Sequence, residues 1–123
     1  MRILVSAYMK IAELVKQFNE EYPFLRLEVY HKGEEMGDAP SCTLNEIAHR
    51  KILNSFVIMS EMKVFEIEEL FWENMGLQVS VFRKSGKTWL ESSFTNYWSL
   101  ERQNNLGREM NSFMNIETKR VTL

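Results

Sequence analysis

Residues 77–92 read LQVSVFRKSGKTWLES and carry the strongest strand signal in the chain. Apolar and polar side chains alternate along the first five of these residues, which is the period of a half-buried strand. The basic run at 83–87 then predicts a hairpin turn, and TWLE at 88–91 predicts the returning strand. The sequence therefore predicts an antiparallel sheet built on this hairpin.

Upstream of the hairpin, the hydrophobic period changes from two to that of a helix. Residues 10–22 predict an amphipathic helix that ends before Pro23, because proline disfavours helical geometry at the preceding residue. The alternation in LRLEVYHK, residues 25–32, predicts a strand. The inner face of the first helix is expected to consist of Ile11, Leu14, Val15, Phe18 and Tyr22.

The rest of the chain predicts three helices and one more strand. Thr43 and Glu46 match the capping box of a short helix, and the apolar run 55–59 predicts a buried strand. A helix over 61–75 ends at Gly76, and a last helix begins at about Leu100. The inner face of that last helix is expected to contain Leu100, Gln103, Leu106, Met110, Phe113 and Met114.

This order of elements predicts an α+β fold. Two strand-helix-strand units favour a ferredoxin-like split βαβ arrangement, with a four- or five-stranded, mainly antiparallel sheet, helices on one face and an additional C-terminal helix. The first strand of that arrangement depends on residues 1–6 (MRILVS), which fit either a strand or the approach to the first helix. We expect one domain over residues 1–115, followed by a tail or edge strand over 116–123.

Composition excludes several classes of protein. A net charge of -2 and a pI near 5.7 lack the basic excess of a dedicated nucleic-acid binder. Cys42 is the single cysteine, so no intrachain disulfide can form. No apolar run approaches the roughly 18 residues of a membrane helix, and no signal peptide is recognisable. We therefore expect a cytoplasmic protein without membrane contact.

Motifs for nucleotide or metal chemistry are incomplete. Residues 85–88 (SGKT) match the end of a phosphate-binding loop, but that motif needs a glycine where Val81 stands and a helix where a strand is predicted. His31, Asp38, Cys42 and His49 lie close in sequence, but their spacing fits no zinc motif. We expect neither a metal nor a cofactor.

One enzymatic alternative remains open at Cys42. A cysteine at a helix start can have a lowered pKa, and His31 or His49 would be its partner in a nucleophilic pair. A lone cysteine is more often unreactive, so we expect a non-enzymatic protein and no catalytic residue.

A second alternative is the binding of single-stranded nucleic acid by the basic hairpin 83–87. Arg83, Lys84 and Lys87 would contact phosphates, while Trp89, Tyr97 and Trp98 would stack on bases. The net acidity of the chain makes this interpretation the less favoured one.

The sequence favours a binding or regulatory module that contacts a protein, either a second copy in a homodimer or another partner. The helix at 61–75 is acidic and the hairpin at 83–87 is basic, so the two segments are complementary in charge. Phe71 and Trp72 are neighbours on that helix, and one helix face cannot bury both easily. An ordinary monomer with surface aromatics is the alternative.

We assign partner contacts to six residues. Trp72 would be an apolar anchor, and Arg83 and Lys84 would meet an acidic partner. Trp89 and Trp98 would line a groove beside the last helix, with Gln103 as its polar contact.

Overall fold

All the strand pairs that the structure describes are antiparallel. The computed structural model describes residues 2–37 and 41–121, with side chains up to residue 112. Its elements are β1 (Arg2–Val5), α1 (Ile11–Glu21), β2 (Leu25–His31), β3 (Glu34–Glu35), α2 (Leu44–Ile47), β4 (Phe56–Met59), α3 (Val64–Met75), β5 (Gln78–Ser85), β6 (Thr88–Glu91), a 3₁₀ turn (Ser93–Thr95) and α4 (Leu100–Val121). The α+β class is therefore confirmed, and residues 2–5 of the N-terminal segment form a strand.

The strands form two sheets. β1 pairs with β4 in a two-stranded sheet, and the larger sheet has the strand order β3-β2-β5-β6. A split βαβ unit needs parallel strands on either side of its helix. Here β1 and β2 flank α1 but belong to different sheets, and β1 meets β4 in the antiparallel sense. The ferredoxin-like arrangement predicted from the sequence is thus not confirmed.

One cluster of buried side chains joins both sheets and the helices. α1 contributes Ile11, Leu14 and Phe18, as predicted. β2 lies beside β5 with Leu27 opposite Val81 and Val29 opposite Val79. The buried stripe of α3 consists of Val64, Ile67, Phe71 and Met75. Both sheets therefore share a core although they share no strand.

α4 contacts this body through its first two turns. Leu100 and Gln103 are buried as predicted, but Met110 is 42% exposed, so its assignment to the inner face was wrong. The inner-face assignments of Phe113 and Met114 lie outside the described side chains. The helix includes residues 116–121, for which the sequence predicts a tail or edge strand, and residues 122 and 123 lie outside the described chain.

Gly107 allows α4 to lie close to the start of β2. A Cβ atom at Gly107 would stand 2.8 Å from the Cβ of Phe24 and 3.2 Å from the Phe24 carbonyl oxygen. Both neighbours are fixed, because the Phe24 N–H donates to the Asn104 Oδ1 at 2.9 Å. Any side chain at this position must push the helix away from the sheet.

Gly107→Ala should therefore destabilise the protein, although alanine is the better helix former. Overpacking costs about 1–3 kcal/mol and the gain in helix propensity is about 1 kcal/mol, so we expect a net loss near 1 kcal/mol in the free energy of unfolding. Urea denaturation measures it. Ser112→Ala, at an exposed position of the same helix, is the matched control and should be neutral or slightly stabilising. Equal effects of the two changes would contradict the close approach.

Candidate functional site

Trp72 is exposed because its neighbour Phe71 occupies the inner position on α3. Successive residues of a helix point about 100° apart, so burial of Phe71 turns Trp72 outward. Trp72 is 56% exposed, as the crowding of this helix predicts. The Arg50 guanidinium lies 5.8 Å from the indole ring and donates to the Trp72 carbonyl oxygen at 3.2 Å. One part of the ring is thereby held in place and the remainder faces solvent.

A groove of about 540 Å³ lies between α3 and the first half of β5. It exists because β6 is shorter than β5: β6 pairs only with Phe82–Ser85, so the preceding residues of β5 have no described strand on that side. We call it the α3–β5 groove. It is lined by Phe65, Glu68, Glu69, Trp72, Glu73, Leu77, Gln78, Val79, Ser80 and Glu91.

The α3–β5 groove has a strongly acidic lining. Four of its residues are glutamates and none is basic. Burial raises the pKa of Glu68, and the nearby charge of Glu91 raises it further. Among the described side chains, none of the four carboxylates lies within ion-pair distance of a lysine or arginine. The groove is therefore a place where a cation would relieve repulsion.

The hairpin is confirmed, but its turn consists only of Gly86 and Lys87, because Arg83, Lys84 and Ser85, predicted to lie in the turn, belong to β5. Gly86 has a φ of 61°, the region that favours glycine at the first central position of a two-residue turn. Lys84 and Trp89 are directly opposite each other on the solvent-facing side of the sheet. The Lys84 Nζ lies 5.9 Å from the Trp89 ring. These two predicted contact residues therefore do lie together.

Arg83 and Gln103, by contrast, connect elements inside the protein. The Arg83 Nη1 donates to the Gln103 Oε1 at 2.7 Å, and the Gln103 Nε2 donates to the Thr95 carbonyl oxygen at 2.7 Å. Gln103 is 0% exposed, and burial lowers the pKa of Arg83. As placed, the Gln103 amide reaches no solvent, and its hydrogen bonds tie β5 and the 3₁₀ turn to α4.

Trp98 lies away from Trp89. Its carbonyl oxygen accepts from the Val64 N–H at 3.1 Å, at the start of α3, and its ring lies 3.8 Å from the Arg102 guanidinium carbon. Trp98 lines a second, smaller groove of about 450 Å³ along α4 whose lining includes neither Trp89 nor Gln103. Tyr97, also assigned to base stacking, packs edge-on against Trp98 at 6.3 Å. No groove described among residues 2–37 and 41–112 is lined by both Trp89 and Trp98, although the sequence predicts one.

The residues of the enzymatic alternative show no activated nucleophile. Burial raises the pKa of Cys42, and Glu46 raises it further, so the thiol form is favoured. The Cys42 Sγ donates to the Thr43 carbonyl oxygen at 3.6 Å, and the rings of His31 and His49 stack at 6.3 Å. No group of three metal-ligating side chains occurs among the described residues, from which Asp38 is missing.

Two residues that the sequence did not single out join Lys84 and Trp89. Arg26 of β2 is directly opposite Phe82 of β5, on the same side of the sheet. The Arg26 guanidinium carbon lies 5.2 Å from the Phe82 ring and 5.5 Å from the Trp89 ring. Strand alternation shows which side each residue takes, but the register between β2 and β5 is needed to bring them together.

Gln103→Ala should destabilise the protein, because it leaves the half-buried Arg83 guanidinium without its acceptor. The expected loss in the free energy of unfolding is about 2 kcal/mol, in the range for hydrogen bonds to charged groups. Urea denaturation of this variant, with the exposed Asn105→Ala as control, measures it. A loss no larger than that of the control would mean that the Gln103 amide is not structural.

The α3–β5 groove and the sheet face around Trp89 are two described surfaces on which charged and aromatic side chains lie together without an ion pair. No helix in the described part of the chain is long and apolar enough to cross a membrane. No protein-family model matches the chain, and no curated protein or solved structure matches it significantly. Its function therefore has to be inferred from the chemistry of these two surfaces.

Proposed function

We propose that this protein is a non-enzymatic binding module whose α3–β5 groove holds a basic segment, meaning an extended stretch of a partner protein rich in lysine or arginine. The observation that carries the proposal is a concave surface whose described lining has four carboxylates, no lysine or arginine and an exposed tryptophan, with Arg50 at its margin against the Trp72 ring. Charge complementarity of this kind selects partners and speeds their encounter.

Desolvation of Glu68 strengthens the attraction for a cation. The carboxylate is half-buried and close to Glu91, which is why its pKa is raised. A lysine or arginine placed between the two would offset both the burial and the like charge. Arginine would in addition offer paired donors to a carboxylate. A partner without positive charge would instead leave the repulsion in place.

Trp72 gives the groove an apolar anchor. Tryptophan is enriched among the residues that dominate binding energy, because a large ring can be desolvated while its edge stays polar. The Arg50 contact orients the indole before a partner arrives. The aliphatic part of a lysine or arginine side chain can pack on such a ring while its charge reaches Glu69 or Glu73.

An extended partner suits the strand edge at the base of the groove. Ser92 donates its N–H and its Oγ to the Val81 carbonyl oxygen, at 3.1 and 2.7 Å, so Val81 presents its backbone to the β6 side. The backbone N–H and C=O groups of successive residues in an antiparallel strand point to opposite sides. Val79 is two residues from Val81, so its N–H and C=O groups also point to the β6 side. No strand of the described residues pairs with Val79 on that side. A partner strand can therefore add hydrogen bonds at Val79.

The basic hairpin of a second copy is the alternative occupant and is less suited. Arg83 is tied to Gln103, and Lys84 lies over Trp89. Both cations would have to leave internal contacts before they reached the groove of another molecule. Only Lys87 of the hairpin is free of such a contact among the described residues.

A fluorescein-labelled peptide of five Lys-Val repeats is a suitable probe, because alternation places its lysines on one side of an extended chain. We expect saturable binding to the protein in a fluorescence anisotropy titration. Trp72→Ala should weaken it about tenfold to thirtyfold, since an aromatic anchor contributes about 1.4–2 kcal/mol. Glu68→Gln with Glu91→Gln should weaken it by a similar factor.

The control for charge is the pair Glu13→Gln and Glu34→Gln, which changes the net charge equally at exposed positions outside the groove. It should bind the peptide nearly as the unchanged protein does. Equal losses in both double variants, or equal binding of a Glu-Val peptide, would show that the groove is not the site. Sedimentation equilibrium identifies the alternative occupant: a dimer that Glu68→Gln and Glu91→Gln dissociate would place a second copy there.

Peptide affinity should fall as the pH is lowered from about 7 to about 5. The pKa of Glu68 is raised above its usual value, so this carboxylate takes up a proton earlier than an exposed glutamate would. Protonation removes its attraction for the peptide, whereas lysine stays charged throughout this range. Glu68→Gln should flatten the pH dependence measured by anisotropy. An unchanged pH profile in this variant would exclude Glu68 as the titrating group.

A further inference from the structure

The pairing of β2, β5 and β6 places two cations and two aromatic rings on one solvent-facing patch of the sheet. Arg26 is opposite Phe82, and Lys84 is opposite Trp89. Phe82 and Lys84 are two residues apart on β5 and therefore point to the same side. We call these four residues the cationic–aromatic face.

The cations of this face form no ion pair among the described side chains, although Glu91 of β6 is directly opposite Phe82 on the same side of the sheet. Arg26 and Lys84 take part in no ion pair there, and the buried Arg26 Nε has no hydrogen-bond partner. Glu28 is the neighbouring acid on β2, but its Oε2 accepts from the Gly37 N–H at 3.1 Å. Arg26 instead lies across two rings. Guanidinium donors without acceptors are a place for an anion.

We propose that the cationic–aromatic face binds single-stranded nucleic acid. Proteins that bind single strands combine cations that follow the phosphates with rings on which the bases stack, and this face presents both within one patch. An acidic peptide would also meet the two cations, but it offers no flat groups to Phe82 and Trp89. The face adjoins the α3–β5 groove at Glu91, which is directly opposite Phe82, but the two proposals are tested with different probes and different variants, so either can fail without the other.

Local charge makes the proposal compatible with an acidic chain. The groove carboxylate nearest to this face is Glu91, which is directly opposite Phe82, two residues or about 7 Å along the sheet from Lys84. That distance is within the screening length of about 8 Å at physiological ionic strength, so Glu91 reduces the attraction for a phosphate. A phosphate near Lys84 would still meet two cations, Arg26 and Lys84, against this one carboxylate. The footprint is small, and its affinity should depend steeply on salt.

Fluorescence anisotropy with a fluorescein-labelled ten-nucleotide oligothymidine, titrated at increasing NaCl, tests this site. We expect binding at low salt that weakens as salt rises. Arg26→Ala with Lys84→Ala should reduce affinity at least about tenfold and lower the slope of log K against log salt by about 1.4, the value for two lost phosphate contacts on a single strand. Lys10→Ala with Lys51→Ala is the control, because both residues are exposed and lie outside this face.

Base stacking has its own measurement. The chain has three tryptophans. In the double variant Trp72→Phe, Trp98→Phe, Trp89 is therefore the remaining tryptophan. The bound oligonucleotide should quench its fluorescence. Thermal melting of each variant confirms that it is folded. No binding at low salt, equal losses in the two double variants, or unchanged Trp89 fluorescence on binding would overturn the proposal. Tighter binding of a labelled oligoglutamate than of oligothymidine would overturn it in favour of an acidic protein.

Discussion

The pairing of β2 with β5 is the constraint on which the rest of the structure depends. Its register runs from Leu25 opposite Arg83 to Tyr30 opposite Gln78. On the inner side this register buries the apolar residues of both strands against the core. On the outer side it sets Arg26 against Phe82. A shift by one residue would exchange the two sides completely, so the core and the cationic–aromatic face are specified by the same pairing.

The second determinant is a difference in strand length. β5 has 8 residues and β6 has 4, so β6 covers only the half of β5 that follows Val81. α3 lies beside the uncovered half, and its outward residues become one wall of the α3–β5 groove. Glu91 ends β6 at the point where the groove begins. The last residue of β6, Glu91, therefore adds the fourth carboxylate of the groove, close to Glu68.

Local patterns predicted the elements, and non-local pairing decided what they build. The spacing of apolar residues located α1 and α3, and the alternation in 77–92 located the hairpin, because both signals lie within one element. The separate β1–β4 sheet has no such signal, since its partners are more than fifty residues apart in sequence. The exposure of Trp72 followed from the sequence, because one helix face cannot easily bury it together with Leu70, Phe71 and Met75. Arg26 was not found, because its role depends on the register with β5.

Gln103 shows where a residue-type argument fails. Its spacing from Leu100 placed it on the inner face of α4, and its amide suggested a polar contact with a partner. The structure satisfies both features internally, because Arg83 reaches the amide from β5 and Thr95 accepts from it. A buried polar group is tolerated when its hydrogen bonds are complete, and this pair joins the helix to the sheet. The two residues therefore position the hairpin rather than face a partner.

Net charge is a poor guide to a small protein whose charges are segregated. The value of -2 averages a groove with four carboxylates and a patch with two cations on one short sheet. At low ionic strength the two fields overlap, because the screening length reaches about 30 Å at 0.01 M. A basic segment bound in the groove would then increase the affinity of Lys84 for a phosphate. Thermodynamic linkage requires a bound phosphate to increase the affinity of the groove for the basic segment by the same factor. At physiological salt the coupling is carried mainly by Glu91, which lines the groove and lies about 7 Å along the sheet from Lys84, within the screening length of about 8 Å.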